Sequence, residues 1–427
     1  MIRRAGWLLY GAVPLLGLAL APGWVMGPAA HAESEAPCSE TVLRDTGDLA
    51  PSRAVDNPPL ERMHVPAARE IADGTGVRVV VIDSGIEPQP APGVAPASAT
   101  SLPGLDPVRL SGHGTLVSGL IAGEEGVAPG AEILDVRVFD TAEADVVQGH
   151  RDVTARGIAD GIRQAIALHR AHPVHVVTIA LSVSTDDPVL RRAIRDLLVH
   201  DVVVVASAGD ASDDDASAEG PSADEGASFE GTPDSDAPVY PADYPGVLAV
   251  SAVAPPGGSV IGSVVPNRDT DVAAPTVGAI SVNANGQRCD IEQVAASWAA
   301  AEVSGVVALL RSHFRGESAE QVVARLVASA EGSERVRSPW TGAGVVQAHD
   351  ALTRSLAPGR SGEIVPSVAQ DRVDATPPLP QQRPDLLGPS RTLLLWAGLG
   401  GGALLALALL LRPLNAARRP NAKDGGV

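Results

Sequence analysis

From Val77 to about Ser355, short apolar runs alternate with amphipathic stretches. The runs are VRVVVID (77–83), EILDVRVF (132–139), VHVVTIAL (174–181), DVVVVASAG (201–209) and VLAVSAV (247–253). Runs that are apolar on both faces and bounded by turn residues predict strands buried inside a parallel sheet. Helical spacing fills the gaps at 150–171, 187–199 and 297–312, with further pieces at 318–330 and 345–354. This alternation predicts an α/β domain with a doubly wound parallel sheet.

Two longer apolar runs lie outside that rhythm. Met1 to Arg4 is a short basic start, Ala5 to Ala30 is uncharged, and Ala30-His31-Ala32 offers small residues at a signal-peptidase cut. Residues 1–32 are therefore expected to be a signal peptide. An uncleaved anchor is the other reading, weakened by Pro14, Pro22 and Pro28. Thr392 to Leu411 is uncharged for 20 residues and is followed by RPLNAARRPNAK. It is long enough to cross a bilayer, and the basic flank predicts a cytoplasmic tail at 412–427. Everything between is then expected on the outer side of a cell membrane: an arm at 33–73 that wraps the domain, the domain itself at 74–355, and a Pro-rich spacer at 356–390.

Composition narrows the partners. Aromatic residues are only 3%, which leaves no stacking platform for single-stranded nucleic acid. Residues 33–390 hold 25 basic and 50 acidic residues, a net of −25 that would repel a phosphate backbone. Nucleic acid is not an expected partner. Ten of the acidic residues fall in 210–237 with no basic one, which reads as a solvated loop; calcium is a second reading without ordered ligand spacing. Only two cysteines occur, Cys38 and Cys289, and in an exported chain they predict one disulfide. Two unpaired buried thiols is the other reading.

Three motifs fall where a parallel sheet brings its ends together. Asp83 closes the first run before Ser84-Gly85, where a carboxylate can accept an imidazole Nδ1 proton. His113 stands between Gly112 and Gly114 in SGHGTLVSGLIAG, at the start of a small-residue helix. Ser297 begins the Ala-rich helix of VAASWAAAEVSGVVALLRSHF, where helix N–H groups can stabilise an oxyanion. Each alone has an ordinary structural explanation: a turn-capping Asp, a loop His, an N-cap Ser.

Together, the order Asp83, His113, Ser297 with DSG, GHGTLVSG and ASWAAAEVSG resembles the subtilisin-like serine peptidases. Within that group the chain is most similar to the mycosins, the membrane-anchored peptidases of type VII secretion systems; VYPADYPGVLAVSAV and DVAAP look like mycosin sequence. The resemblance implies a subtilisin-like fold with one C-terminal transmembrane helix, a protein substrate, type VII secretion components as partners, and no cofactor. It implies that Asp83 orients, His113 acts as general base and acid, and Ser297 is the nucleophile. It places substrate-binding backbone at Leu181, Ser182, Val183 and Ser184 and at Ser207, Ala208 and Gly209.

Departures from the family pattern bear on activity. Asp210 occupies the position where the family carries an oxyanion-donating Asn. An amide donates to the oxyanion, whereas an ionised carboxylate only accepts. Losing such a donor costs about 10²- to 10³-fold in turnover. Ala295-Ala296 replaces Gly-Thr before Ser297, and Ala301 replaces a Pro. The sequence thus predicts a membrane-anchored serine endopeptidase of low or conditional activity, with a catalytically vestigial structural subunit of the secretion complex as the alternative. His169, His172 and His175 cluster near a helix end without an evident further ligand and read as a solvated terminus, so no metal is expected.

Overall fold

The computed structural model describes residues 37–40, 56–87, 94–141, 149–211, 238–332, 337–364 and 388–416, with side chains of the last helix described over 394–411. The expectations for the signal peptide, part of the arm, the acidic loop beyond residue 211, most of the spacer and the end of the tail lie outside these residues.

Residues 1–365 form one unit, and its centre is a seven-stranded sheet. The strands are β1 (Arg78–Asp83), β2 (Ser98–Ser101), β3 (Glu132–Arg137), β4 (Val176–Ile179), β5 (Val203–Ser207), β6 (Val247–Val253) and β7 (Val272–Pro275). Their order is β2-β3-β1-β4-β5-β6-β7, and every pairing is parallel. The five apolar runs supply β1, β3, β4, β5 and β6. Edge strands β2 and β7 carry weaker signals: SATS is half exposed, and VAAP is only four residues long. A short antiparallel hairpin, β8 (Ile280–Val282) and β9 (Arg288–Asp290), stands apart from the sheet.

Helices cover both faces of the sheet, so the central strands are buried on both sides and are dominated by Val, Ile and Ala. On one face lie α3 (His113–Ala122) and α6 (Ala296–His313), with α1 (Pro58–Arg62), α2 (Val65–Arg69), α7 (Ala319–Ser329) and α8 (Ala348–Thr353) around them. On the other lie α4 (Ala155–Ala171) and α5 (Pro188–Leu198). The amphipathic helices carry their own caps: Thr154 accepts the Gly157 N–H, Asp187 accepts those of Val189 and Leu190, and Ser318 with Gln321 forms a capping box. Helix α6 differs. It is buried on every side through 15 consecutive residues, which its run of Ala and Gly permits. A Cβ on Gly305 would lie 2.4 Å from the Val127 Cβ, so this helix passes its neighbour at a distance only Gly allows.

The second unit, residues 366–427, contains α9 (Gly388–Ala416). Leu394–Leu411 within it is long and apolar enough to cross a membrane, and its side chains are exposed.

Candidate active site

Strand β1 delivers Asp83 to the carboxyl end of the sheet, beside the point where the strand order reverses. Its carboxylate is fully buried. Helix α3 starts directly against the following turn: a Cβ on Gly114 would stand 2.8 Å from the Gly85 carbonyl oxygen. That approach sets His113 Nδ1 at 2.9 Å from both Asp83 carboxylate oxygens. The turn is tied down by Ser84. Its N–H donates to Asp83 Oδ1 at 2.7 Å, its hydroxyl donates to the Ser111 carbonyl at 3.2 Å, and the same oxygen accepts the Gly114 N–H at 3.0 Å. A carboxylate holding Nδ1 fixes the imidazole tautomer and leaves Nε2 for proton transfer.

Ser297 is the second residue of α6 and lies in the same cleft as His113. The two make no hydrogen bond with each other. Trp298 packs its ring on the His113 imidazole, with centroids 4.7 Å apart and planes inclined by 32°. The cleft holds about 510 Å³ and is walled by Leu181, Ser182, Val183 and Ser184 on one side.

Asp210 reaches the start of α6 from the segment after β5. Its Oδ1 accepts the Ala296 N–H, and its Oδ2 faces the Ser297 N–H at 3.4 Å. The first N–H groups of a helix have no partner within it, and they form the positive end of its dipole. The residue before α6 is Ala295, which has no side-chain acceptor, so this helix lacks a cap of its own. Asp210 supplies one from another element. The carboxylate therefore occupies the N–H that an oxyanion at Ser297 would need.

The profile of the Subtilase family matches residues 74–350. Mycosin-3 of Mycobacterium tuberculosis is 30% identical over 433 residues, covering 89% of this chain and 91% of that protein. The chain belongs to the subtilases, in their mycosin branch. The structure of the MycP3 protease from the type VII (ESX-3) secretion system is 28% identical and superposes with a TM-score of 0.53, covering 75% of this chain and 93% of that one. A chain in the periplasmic assembly of the ESX-5 inner membrane complex shares the fold at a TM-score of 0.57 and 24% identity, over 76% of this chain and 90% of that one. By family, this mycosin is a serine endopeptidase of the subtilisin type.

Of the cleft residues of this mycosin that have no counterpart in the sequence-based site, Glu40 and Asp152 are acidic. Glu40, on the N-terminal arm, lines the cleft beside His113 and Asp210. The Cys38–Cys289 disulfide holds the arm to β9, and the Gly112 N–H donates to the Glu40 carbonyl at 2.5 Å. The only pointer to it in the sequence is a cysteine two residues earlier.

The charges around His113 set its protonation. Burial alone lowers the imidazole pKa, but the charge and hydrogen bond of Asp83, with the charges of Glu40 and Asp210, outweigh it and push it up to about 9. Asp210 faces the open cleft on its outer side, yet desolvation by the surrounding protein pushes its carboxyl up to about 6. The Ala296 and Ser297 N–H groups and His113 oppose that rise. At neutral pH the resting site thus pairs an imidazolium with an ionised Asp210 that is held as an acceptor.

The other expected substrate segment lies elsewhere. Ser207 ends β5 and is buried, Ala208 belongs to the core and donates its N–H to the Val250 carbonyl, and the Gly209 carbonyl accepts the Val265 N–H. None of the three is among the residues lining the cleft. Val183, in the segment that does line it, already exchanges both backbone hydrogen bonds with Tyr240 at 2.9 Å. The edge expected to pair with a peptide is therefore partly occupied here. The histidines near the end of α4 serve backbone groups: His169 Nδ1 accepts the Val174 N–H and His175 Nδ1 accepts the Arg78 N–H. Among the described residues no group of three His, Cys, Asp or Glu side chains is placed to hold a metal ion.

Proposed function

We propose that this chain is a membrane-tethered, extracytoplasmic mycosin that works beside a type VII secretion machine as a serine endopeptidase of low resting activity. The tether rests on the apolar stretch Leu394–Leu411 and the basic residues after it. The secretion context rests on likeness to MycP3, whose structure is described as part of the ESX-3 system.

The observation that carries the low activity is the Asp210 carboxylate on the N–H groups of Ala296 and Ser297. In a productive cycle Ser297 Oγ attacks the scissile carbonyl while His113 Nε2 takes its proton. The tetrahedral oxyanion forms toward the helix start, and collapse passes the proton from His113 to the leaving amine. Water then repeats the sequence on the acyl-enzyme. Two conditions must change before this runs: His113 must be neutral, and Asp210 must release the Ser297 N–H or become protonated.

A second reading, a structural subunit with a retired site, is favoured by the same carboxylate together with Ala295-Ala296. Labelling with a fluorophosphonate probe separates them. Slow labelling of the wild type that vanishes in Ser297→Ala supports the enzyme. A wild type that labels no faster than Ser297→Ala, while a Ser297→Ala copy restores export in a deletion strain, supports the scaffold.

A further inference from the structure

Among the described residues, the cleft wall around Ser297 carries three carboxylates, Glu40, Asp152 and Asp210, and no Lys or Arg. Among the described residues that line it, His113 alone can carry positive charge. Carboxylates on a domain surface are ordinarily solvated. These stand where a peptide bound for the nucleophile must pass, and among the described residues one of them has no hydrogen-bond donor on its carboxylate, whereas Asp152 accepts the Val153 N–H and Asp210 the Ala296 N–H.

That one is Glu40, whose backbone is fixed at three successive residues. The Cys38 N–H donates to the Asp290 carbonyl at 2.9 Å, the Ser39 N–H to Asn283 Oδ1 at 2.9 Å, and the Gly112 N–H to the Glu40 carbonyl at 2.5 Å. The disulfide to Cys289 locks the same stretch covalently. The side chain itself is exposed and, among the described residues, forms no ion pair. With the backbone already fixed, meeting an opposite charge costs only the ordering of the Glu40 side chain itself. Its field already reaches the catalytic imidazole.

We propose that the cleft selects peptides bearing a lysine or arginine close to the scissile bond, with Glu40 as the specificity-determining residue. This rests on the reading of the cleft as a peptidase site and adds the substrate class. Glu40 contacts the cationic side chain, while Asp152 and Asp210, whose carboxylates already accept the Val153 and Ala296 N–H groups, contribute to the negative field. Apolar and acidic peptides of the same length are discriminated against, the first by lacking the contact and the second by repulsion.

The test is binding, measured on the full chain carrying Ser297→Ala, so that it does not depend on turnover. The probes are octapeptides of alanine and leucine with a single arginine moved through the central four positions, each matched by a citrulline peptide of the same shape without the charge. Calorimetry should give at least one arginine peptide a Kd roughly tenfold below its citrulline match, with the ratio shrinking between 50 and 500 mM NaCl. Adding Glu40→Gln should bring that ratio below about threefold and leave the citrulline peptide's Kd unchanged. Equal affinities for every arginine and citrulline pair, or a Glu40→Gln effect that weakens both peptides alike, would overturn the proposal. Loss of probe labelling at Ser297 alongside an intact arginine preference would instead sink the peptidase reading and leave the recognition standing.

Discussion

The Asp210 carboxylate faces the Ser297 N–H at 3.4 Å and takes the Ala296 N–H as well, so one side chain both caps the nucleophile's helix and blocks its oxyanion donor. Asp210→Asn separates the two effects. The amide oxygen can keep the cap, and its NH₂ can donate into the cleft. Turnover of a peptide ester should rise at least about tenfold, within the range that single oxyanion donors are worth. Initial rates of the wild type, Asp210→Asn and Ser297→Ala decide it; a folded Asp210→Asn no faster than the wild type would remove Asp210 from the catalytic account.

The pH profile follows from His113. Its pKa is raised from 6.5 to about 9, so the base form needed for attack is scarce at neutral pH and grows as pH rises through that value. kcat/KM should therefore climb between pH 7 and 9. The groups facing the ring are Asp83 from β1, Glu40 from the arm, Asp210 from beyond β5 and Trp298 from α6. Removing either the Glu40 or the Asp210 charge should move the midpoint to lower pH. A profile with its midpoint near 6.5 in the wild type would contradict this electrostatic arrangement. For stability the sign is opposite: the raised pKa stabilises the fold below pH 6.5, and that contribution is lost as pH rises toward 9.

Glu302 gives a stability prediction independent of chemistry. It lies inside α6, fully buried, and neither carboxylate oxygen has a hydrogen-bond partner among the described residues. Burial raises its pKa well above the ordinary value, so the folded state holds the proton to higher pH than the unfolded chain, which ionises above about pH 4. Folding then loses stability as pH rises. Glu302→Met removes the orphaned group at similar volume and should raise stability by about 1–3 kcal/mol at pH 8, and by less at pH 5. Denaturant titrations at both pH values are the measurement; a destabilised Glu302→Met would show that the carboxyl has a partner in solution.

Breaking the Cys38–Cys289 bridge frees the arm. The two cysteines are 251 residues apart, and in the chain-entropy model closing so long a loop contributes about 5 kcal/mol. Cys38→Ser should lower the melting temperature and also lower the His113 midpoint, because Glu40 loses its fixed place. Both should change together. A lower melting temperature with an unchanged midpoint would mean that Glu40 holds its position without the bridge.

The proposed topology puts residues 33–390 outside the cell and the tail after Arg412 inside. Protease added to intact cells should remove the domain, detected with an antibody to it. Protection of the domain would reverse the orientation.

Much of the scaffold is legible in the residues because parallel strands buried on both faces need mainly apolar runs, and five such runs are present, β3 also carrying the buried Asp135 and Arg137. β2 and β7 escape the pattern because edge strands need be neither long nor apolar on both faces. The triad motifs are legible because the close packing of α3 against the 83–85 turn demands Gly114, which leaves a mark beside His113. The partners of Asp210 are not. Nothing in ASAGD states that a helix beginning 86 residues later lacks an acceptor at Ala295, since capping is a local rule satisfied here by a distant element. Glu40 is hidden for the same reason, being brought to His113 by a covalent link and a backbone contact rather than by any periodicity.

The disulfide has one more consequence. Counted along the chain, the link from Cys38 to Cys289 encloses Asp83, His113 and Asp210 in a single covalent ring, with Ser297 just beyond its closure. A single cut anywhere in the ring, the acidic stretch 212–237 included, releases no piece. The nicked molecule would still migrate as one band until reductant is added, so maturation by internal cleavage would pass unseen on a non-reducing gel.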